Sequence, residues 1–119
     1  MRRLKRRDCA VLHLGLKWPW YHLIDNGTKH VEFREATPYW NTRIENWTRR
    51  TNEGRTPVLE FQNGYGRFSP RMWFIAGSGV GITHTFSGAD VPVQHKELGE
   101  FPKARYTLFI GERVELEDW

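Results

Sequence analysis

The sequence has little cysteine, and its apolar residues never form a long run. Cys9 is the only cysteine among 119 residues, which excludes a disulfide within the chain and favours a reducing compartment. No apolar stretch approaches the roughly 18 residues that span a membrane. The segment after the basic N-terminus is too short and too interrupted for a signal peptide. We therefore predict a cytoplasmic protein with no membrane partner.

The sequence also lacks the spacings of a metal site and of a phosphate-binding loop. Its five histidines stand apart from one another and from Cys9, whereas a zinc site has closely spaced pairs of ligands. The glycine-rich run 77–81 has neither the lysine nor the following helix of a phosphate-binding loop, so we interpret it as a bulge or a turn. We expect neither a metal nor a cofactor.

The composition suits one domain with an aromatic-rich core. Hydrophobic residues make up 39% of the chain and aromatic residues 14%, which is enough for one core but not for two. The net charge is +4, and five basic residues lie within the first seven positions, so anionic partners are favoured mainly there. We interpret residues 1–8 as a basic arm, either solvated or phosphate-binding, and residues 9–119 as a single domain.

Residue patterns predict a mixed α+β domain that is mostly β. Alternating or branched apolar residues predict strands, whereas spacing of 3.6 residues with proline in the first turn predicts helices. The expected strands are 10–16, 29–35, 58–62, 71–76, 80–85 and 106–111, the expected helices are 17–27 and 39–47, and the expected exposed loop is 49–56. The fourth and fifth strands could also be one bulged strand, and the tail 112–119 either adds an edge or frays. Five or six strands in so short a chain favour a small curved or closed sheet.

Charged residues are concentrated in the segment 27–34, where the first helix gives way to a strand. Glu32 and Arg34 are two residues apart and share one face of a strand, so they can form an ion pair that leaves arginine donors for a ligand. Lys29 is out of phase with both and can join them only from the turn or from a bulge. The three residues are either a site for a polar ligand or a solvated strand face with weak ion pairs.

Aromatic residues flank this charged segment on both sides. Rings beside charges suit a flat base, because stacking contributes about 1–3 kcal/mol per base. The residues concerned are Trp18, Trp20, Tyr21 and Tyr39. Three other tryptophans, Trp40, Trp47 and Trp73, are expected in the core instead.

The glycine-rich turn 63–66 is a second candidate site. Its glycines allow a ligand to approach the backbone, and Asn63 and Tyr65 can supply directional hydrogen bonds. An Asn-Gly pair is equally typical of a plain hairpin turn. From the residues alone, both interpretations remain open.

Several of these segments together resemble ASCH domains, which are small β-barrels related to PUA RNA-binding domains. The segments are 14–18, 33–35, 38–40 and 61–66, and the resemblance extends over most of residues 11–85. Its most telling element is a helix followed by Gly-x-Lys-x-x-Glu-x-Arg, which is formed here by Gly27, Lys29, Glu32 and Arg34. The resemblance implies a PUA-like barrel with a nucleobase pocket at its mouth.

Two functions are associated with this family, namely RNA binding and hydrolysis of the amide in 4-N-acetylcytidine. In the hydrolysing members, a lysine after the glycine turn, a threonine three residues later and a distant glutamate form the active centre. Lys29 occupies the lysine position, but Glu32 stands where those enzymes have the threonine. The resemblance therefore implies a route through lysine and a carboxylate, or alternatively a noncatalytic RNA- or nucleotide-binding module.

As an amidohydrolase, the protein would remove an acyl group from the exocyclic amine of cytidine or a related nucleoside. Glu32 would be the general base, with Lys29 or Arg34 stabilising the oxyanion, or Lys29 would be the base if it were desolvated. The aromatic residues of 18–21 and Tyr39 would hold the base, and Asn63 or Tyr65 would recognise its edge. The sequence leaves open the acyl group, the oligomeric state, and whether the nucleoside is free or part of RNA.

Overall fold

Seven strands and two α-helices form the regular structure of the computed structural model, which describes residues 1–77, 83–86 and 105–118. In chain order, the elements are β1 (Arg2–Lys5), a 3₁₀ helix (Arg6–Asp8), β2 (Cys9–Leu16), α1 (Trp18–Asp25), β3 (Val31–Glu35), α2 (Pro38–Asn52), β4 (Thr56–Asn63), β5 (Arg71–Ala76), β6 (Thr83–Phe86) and β7 (Arg105–Glu117). The prediction of a mixed, mostly β domain with two short helices is confirmed.

The long strand β7 pairs with four other described strands, namely β1, β3, β5 and β6. The strand order is β1-β7-β5-β4-β2, and β3 and β6 also pair with β7. The pairs β1–β7 and β2–β4 are parallel, whereas β7 is antiparallel to β3, β5 and β6. The pairing of β5 with β7 shifts register between Phe74 and Ala76, and such a bulge bends the strands at this point.

The connection between β1 and β2 shows that the sheet is strongly curved. In a flat sheet with this strand order, β1 and β2 would be about 19 Å apart, at roughly 4.8 Å per strand. Only Arg6–Asp8 lies between them, and so short a link spans no more than about 14 Å. The two edges are therefore drawn together, yet β1 and β2 are not paired with each other. For the described residues, the sheet is therefore curved but open, which is the first of the two predicted alternatives, whereas the barrel that the ASCH resemblance implies is not formed there.

The hydrophobic core lies where α1 and α2 pack on β2 and β4. Alternate residues of the strands face this core, including Leu12, Phe61 and Phe74. Trp47 is buried with them and donates its indole N–H to the carbonyl of Ala10 at 2.8 Å. The prediction of a core position is confirmed for Trp47, whereas Trp40 and Trp73 are only partly buried.

The beginning of α2 follows from local chemistry, but the helix is longer than the sequence predicts. The hydroxyl of Thr37 accepts the backbone N–H of Trp40 at 3.3 Å, as expected of an N-cap. The helix continues to Asn52, so residues 49–52 do not form the predicted loop. Its last turns hold the buried Thr51 and place Arg50 Nη2 3.4 Å from the carbonyl of Cys9.

The first and last described strands pair with each other in the sheet. The sequence predicts a basic arm over residues 1–8, whereas Arg2–Lys5 form β1, which pairs with residues 114–117 of β7. The same pairing extends β7 through the acidic segment, which was expected either to add an edge or to fray. In the glycine-rich run 77–81, only Gly77 lies within the described residues.

Two glycines permit the close approach of strands at the bulge. A Cβ at position 111 would lie 2.7 Å from the carbonyl oxygen of Ile75, and one at position 77 would lie 2.8 Å from the Cβ of Phe109. Backbone atoms cannot move aside as a flexible side chain can. A side chain at position 111 of β7 would therefore overlap the backbone at Ile75, so this position requires glycine.

We predict that Gly111→Ala destabilises the fold by about 1–3 kcal/mol, because the new methyl group overlaps a backbone carbonyl. Urea unfolding followed by circular dichroism measures this change. Gly15→Ala is the matched control, since a Cβ there meets only a Tyr65 ring carbon at 3.9 Å. Equal stability of the Gly111→Ala variant and the wild type would contradict this explanation of the bulge.

Candidate functional site

The end of α1 places Lys29 outside the alternation of β3. Gly27 follows the helix with a φ of +81°, a conformation that glycine adopts readily. The backbone N–H of Lys29 then bonds to the carbonyl of Leu23 at 2.9 Å, which ties this residue to the last turn of α1. Because β3 begins only at Val31, the period of the strand does not fix the direction of Lys29, and its side chain can point towards Glu32.

Lys29, Glu32 and Arg34 form one ion cluster. Lys29 Nζ lies 2.9 Å from Glu32 Oε1, and Arg34 contacts Glu32 Oε2 through Nε at 3.1 Å and Nη2 at 2.7 Å. The side chain of Glu32 is 6% exposed, against 17% for Lys29 and 18% for Arg34. The carboxylate is therefore nearly buried, and each of its oxygens faces a cation.

The hydrogen bonds of Glu32 leave one of its oxygens with spare capacity. A carboxylate offers about four lone-pair positions, two on each oxygen. Oε2 accepts two N–H groups from Arg34, whereas Oε1 accepts a single one from Lys29. The remaining lone pair thus lies on Oε1, beside the ammonium group. This arrangement can activate a small polar molecule held between the two.

Arg34 is held firmly on several sides. Its Nη2 also donates to the carbonyl of Gly15 at 2.9 Å, and its Cζ lies 4.9 Å from the centre of the Trp40 ring. The planar guanidinium can satisfy such contacts simultaneously. Trp40 was expected to be a core residue, and the sequence contained no signal that Arg34 would lie on it.

The aromatic residues proposed for the site occupy different environments. Lys29 Nζ lies 4.7 Å from the centre of the Trp20 ring, which is 36% exposed. Trp18 is 57% exposed and stacks on Tyr21 at 6.1 Å between ring centres. Tyr21 itself is 5% exposed and belongs to the core. The exposed rings of Trp20 and Trp18 can thus contact a ligand, whereas the buried Tyr21 packs against the Trp18 ring.

Tyr39 lies next to the cluster rather than in it. Its ring is 58% exposed and meets Trp40 edge to face, with 5.2 Å between ring centres. Because Trp40 packs under Arg34, Tyr39 is separated from the ion cluster by one ring.

The turn after β4 lies across β2 from the ion cluster. Asn63 Nδ2 donates to the carbonyl of Leu16 at 3.1 Å, and Tyr65 is fully exposed with its ring against Gly15. Arg34 meanwhile bonds to the carbonyl of Gly15, the preceding residue. The last two residues of β2 thus connect the two groups of predicted site residues.

A second buried carboxylate, Glu60, was not anticipated. It is 5% exposed in the centre of β4, with Trp73 Nε1 at 2.7 Å, Arg6 Nη2 at 2.9 Å and His13 Nδ1 at 2.9 Å. Burial by itself raises the pKa of Glu60, but the hydrogen bonds of these three partners outweigh it and lower this pKa to about 2. A glutamate between apolar strand residues was the signal in the sequence, although its distant partners could not be inferred.

The described residues show no sign of a metal site or of a membrane span. They contain no cluster of three or more histidine, cysteine, aspartate or glutamate side chains that could hold a metal ion. Among them, no helix is long and apolar enough to cross a membrane.

Comparison with protein-family models, with curated proteins and with solved structures finds no significant match to this chain. The ASCH resemblance consequently stays a prediction that depends on the residues quoted for it.

We predict that Glu60 contributes to stability in a pH-dependent way. Its pKa of about 2 in the folded state lies below the ordinary value of 4.5, so its contribution is complete above about pH 4.5 and is lost as the pH falls towards 2. This difference corresponds to about 3 kcal/mol at neutral pH. Urea unfolding of wild type and Glu60→Gln from neutral pH to about pH 2 should show their difference in stability shrinking across that window.

The exposed Glu115 on β7 provides the control, because Glu115→Gln makes the same chemical change at the surface. Its difference from the wild type should be small. If the Glu60→Gln difference did not change with pH, the hydrogen bonds to Glu60 would not have the effect that we assign to them.

Proposed function

We propose that the protein is an ASCH-type amidohydrolase that removes an acyl group from the exocyclic amine of a 4-N-acylated cytidine or a related nucleoside. The observation that carries the proposal is the 2.9 Å contact between Lys29 Nζ and the one Glu32 oxygen that retains a free lone pair. A carboxylate that can serve as general base and an ammonium that can serve as oxyanion donor are adjacent and largely shielded from solvent. Both kinds of group accelerate amide hydrolysis.

The proposed reaction uses a water molecule hydrogen-bonded to Glu32 Oε1. The water oxygen attacks the acyl carbon while Glu32 takes its proton, and the carbonyl electrons move onto the acyl oxygen. Lys29 stabilises this oxyanion through its remaining N–H groups, because only one is used on Glu32. Collapse of the intermediate breaks the C–N bond as Glu32 returns the proton to the exocyclic nitrogen. The products are the free amine of the base and the carboxylic acid.

Arg34 acts as a positioning residue in this scheme. Its N–H groups are directed at Glu32 Oε2 and at the carbonyl of Gly15, so it fixes the orientation of the carboxylate rather than contacting the acyl group. The stacking on Trp40 restrains the guanidinium further. The distinction matters for the kinetics, since loss of a positioning residue should cost less than loss of either reacting group.

The rings around the cluster provide the proposed base-binding surface. Trp20 lies directly against Lys29, and Trp18 presents an exposed face that is supported by Tyr21. Asn63 is held by its bond to Leu16, and together with Tyr65 it is our candidate for recognising the edge of the base. A cytoplasmic location is part of the same proposal, because the single cysteine is buried and forms no disulfide.

A noncatalytic RNA- or nucleotide-binding module is the second candidate, and one observation favours it. Glu32 already accepts three hydrogen bonds from cations, an arrangement that also suits a static cluster presenting Lys29 and Arg34 as donors to a ligand. The two candidates differ in whether bound acylcytidine is released unchanged.

We predict that the wild-type protein converts 4-N-acetylcytidine into cytidine and acetate, as measured by chromatography. Lys29→Ala and Glu32→Gln should each lower kcat by about 100-fold or more, because each removes a reacting group. Arg34→Lys should lower kcat by about 10-fold, since it retains the charge but loses the two-pronged contact with Glu32.

Glu112→Gln is the matched control, because it makes the same carboxylate-to-amide change in an exposed ion pair with Arg2. It should leave kcat unchanged. Circular dichroism verifies that each variant is folded, and Lys29→Arg provides a variant that keeps the cation at this position. If the folded wild type bound acetylcytidine without releasing cytidine, the hydrolase proposal would fail and the binding module would be favoured.

A further inference from the structure

A polar groove runs between α2 and β2, on the far side of Tyr39 from the ion cluster. Its volume is about 360 Å³, and polar groups reach it from Arg43, Asn46 and Arg50 of α2 and from His13 of β2. The described residues that line it include two arginines and neither aspartate nor glutamate. The groove therefore favours an anion.

Both arginines retain donors for such a ligand. Arg43 is exposed, and its Cζ lies 3.9 Å from the centre of the Tyr39 ring, a cation–π contact that does not itself require an N–H donor. Arg50 uses one N–H of Nη2 on the carbonyl of Cys9. A guanidinium has five N–H groups in a planar fork that matches the oxygens of a phosphate.

The spacing of these donors suits a linear anion rather than a single phosphate. Arg43, Asn46 and Arg50 are three and four residues apart, so they lie along one face of α2. Seven residues of helix separate the two arginines by about 10 Å along the axis. A row of donors of this length can contact successive phosphates of one strand.

The groove continues directly from the candidate site. Arg43 lies on Tyr39, Tyr39 meets Trp40, and Trp40 packs under Arg34, with 3.9, 5.2 and 4.9 Å between the contacting groups. A nucleotide whose base occupies the site next to Arg34 would therefore have its neighbours along the strand within reach of α2.

We propose that this groove binds the phosphate backbone of a single-stranded polynucleotide, so that the acylated cytidine is recognised within a strand rather than as a free nucleoside. The identity of the base rests on the proposed function, but the backbone contact is tested separately. Backbone neutralisation by arginine releases counterions, which makes binding depend on salt.

The experiment measures the affinity of a single-stranded oligoribonucleotide containing one 4-N-acetylcytidine over a series of salt concentrations. We expect Arg43→Gln/Arg50→Gln to bind at least about 10-fold more weakly and to flatten the slope of log K against log salt by about 1.4, since each neutralised phosphate accounts for about 0.7. Arg43→Gln alone should give about half of that change in slope. This single variant also keeps the hydrogen bond between Arg50 and Cys9, so a folding defect cannot explain the result.

Arg49→Gln is the matched control. Arg49 belongs to the same helix, but its side chain is 64% exposed and lies 3.8 Å from Glu53, outside the groove. Its affinity and its salt dependence should equal those of the wild type. Both groove variants should hydrolyse free 4-N-acetylcytidine at the wild-type rate.

Four results would overturn the inference. One is wild-type affinity of the double groove variant. Another is that Arg67→Gln/Arg71→Gln causes the whole loss of affinity instead, since these two arginines line a different cavity near Trp73. The third is an equal loss for cytidine 5′-monophosphate, which would indicate a site for one phosphate. If the protein hydrolysed the free nucleoside but bound no strand, the groove proposal would fail and the proposed function would stand. If it bound the strand through the groove but did not hydrolyse it, the proposed function would fail and the groove proposal would stand.

Discussion

The backbone hydrogen bonds of β7 are the constraint on which the other contacts depend. β3 carries Glu32 and Arg34, and in the described sheet it joins the other strands only through β7. Glu32 lies opposite Leu108, which is 1% exposed, so the pairing brings this carboxylate into the protein. Once there, the carboxylate needs cationic partners, since an unpaired buried charge is very costly. Lys29 and Arg34 meet that need, and the candidate chemistry of the site is a result of it.

The two buried carboxylates show how far the sequence could be interpreted. Glu32 has its partners three residues before it and two residues after it. The alternation of a strand was therefore sufficient to predict that Arg34 lies beside Glu32, and the sequence left open only whether the turn directs Lys29 towards them. Glu60 has partners that are 13, 47 and 54 residues away. No local pattern relates these positions, because the pairing of β4 with β2 and β5 brings His13 and Trp73 to Glu60, and Arg6 reaches it from the segment between β1 and β2. Both buried carboxylates need hydrogen-bond partners, but only the partners of Glu32 lie close enough in the sequence to be anticipated.

The fold likewise has some features that local sequence patterns predict and others that depend on distant contacts. Strands β2, β4 and β5 and the start of α2 followed from period and capping, which are local properties. The inclusion of residues 2–5 in the sheet depends on partners more than 100 residues later. The polar end of α2 does not form the predicted loop, because Arg50 bonds to the carbonyl of Cys9 and Thr51 is buried. Whether the sheet closes into a barrel likewise depends on how all of its strands pair, which no local pattern reveals. Among the candidate site residues, Tyr21 is the clearest example, since its burial depends on how α1 packs.

The position of β7 in the chain has a consequence for how the molecule reaches this structure. Each strand that pairs with β7 precedes it, and in β1 the partners are separated from it by more than 100 residues. During synthesis, β3 therefore has no partner in the described sheet until residues 105–109 have been made, and β1 has none until residues 114–117 have been made. Sheets built from such distant contacts assemble slowly, because loop closure is completed before the contacts stabilise it. While the chain waits, its helices α1 and α2 can already cover β2 and β4, so the half of the sheet that contains the proposed groove can form before the half that buries Glu32.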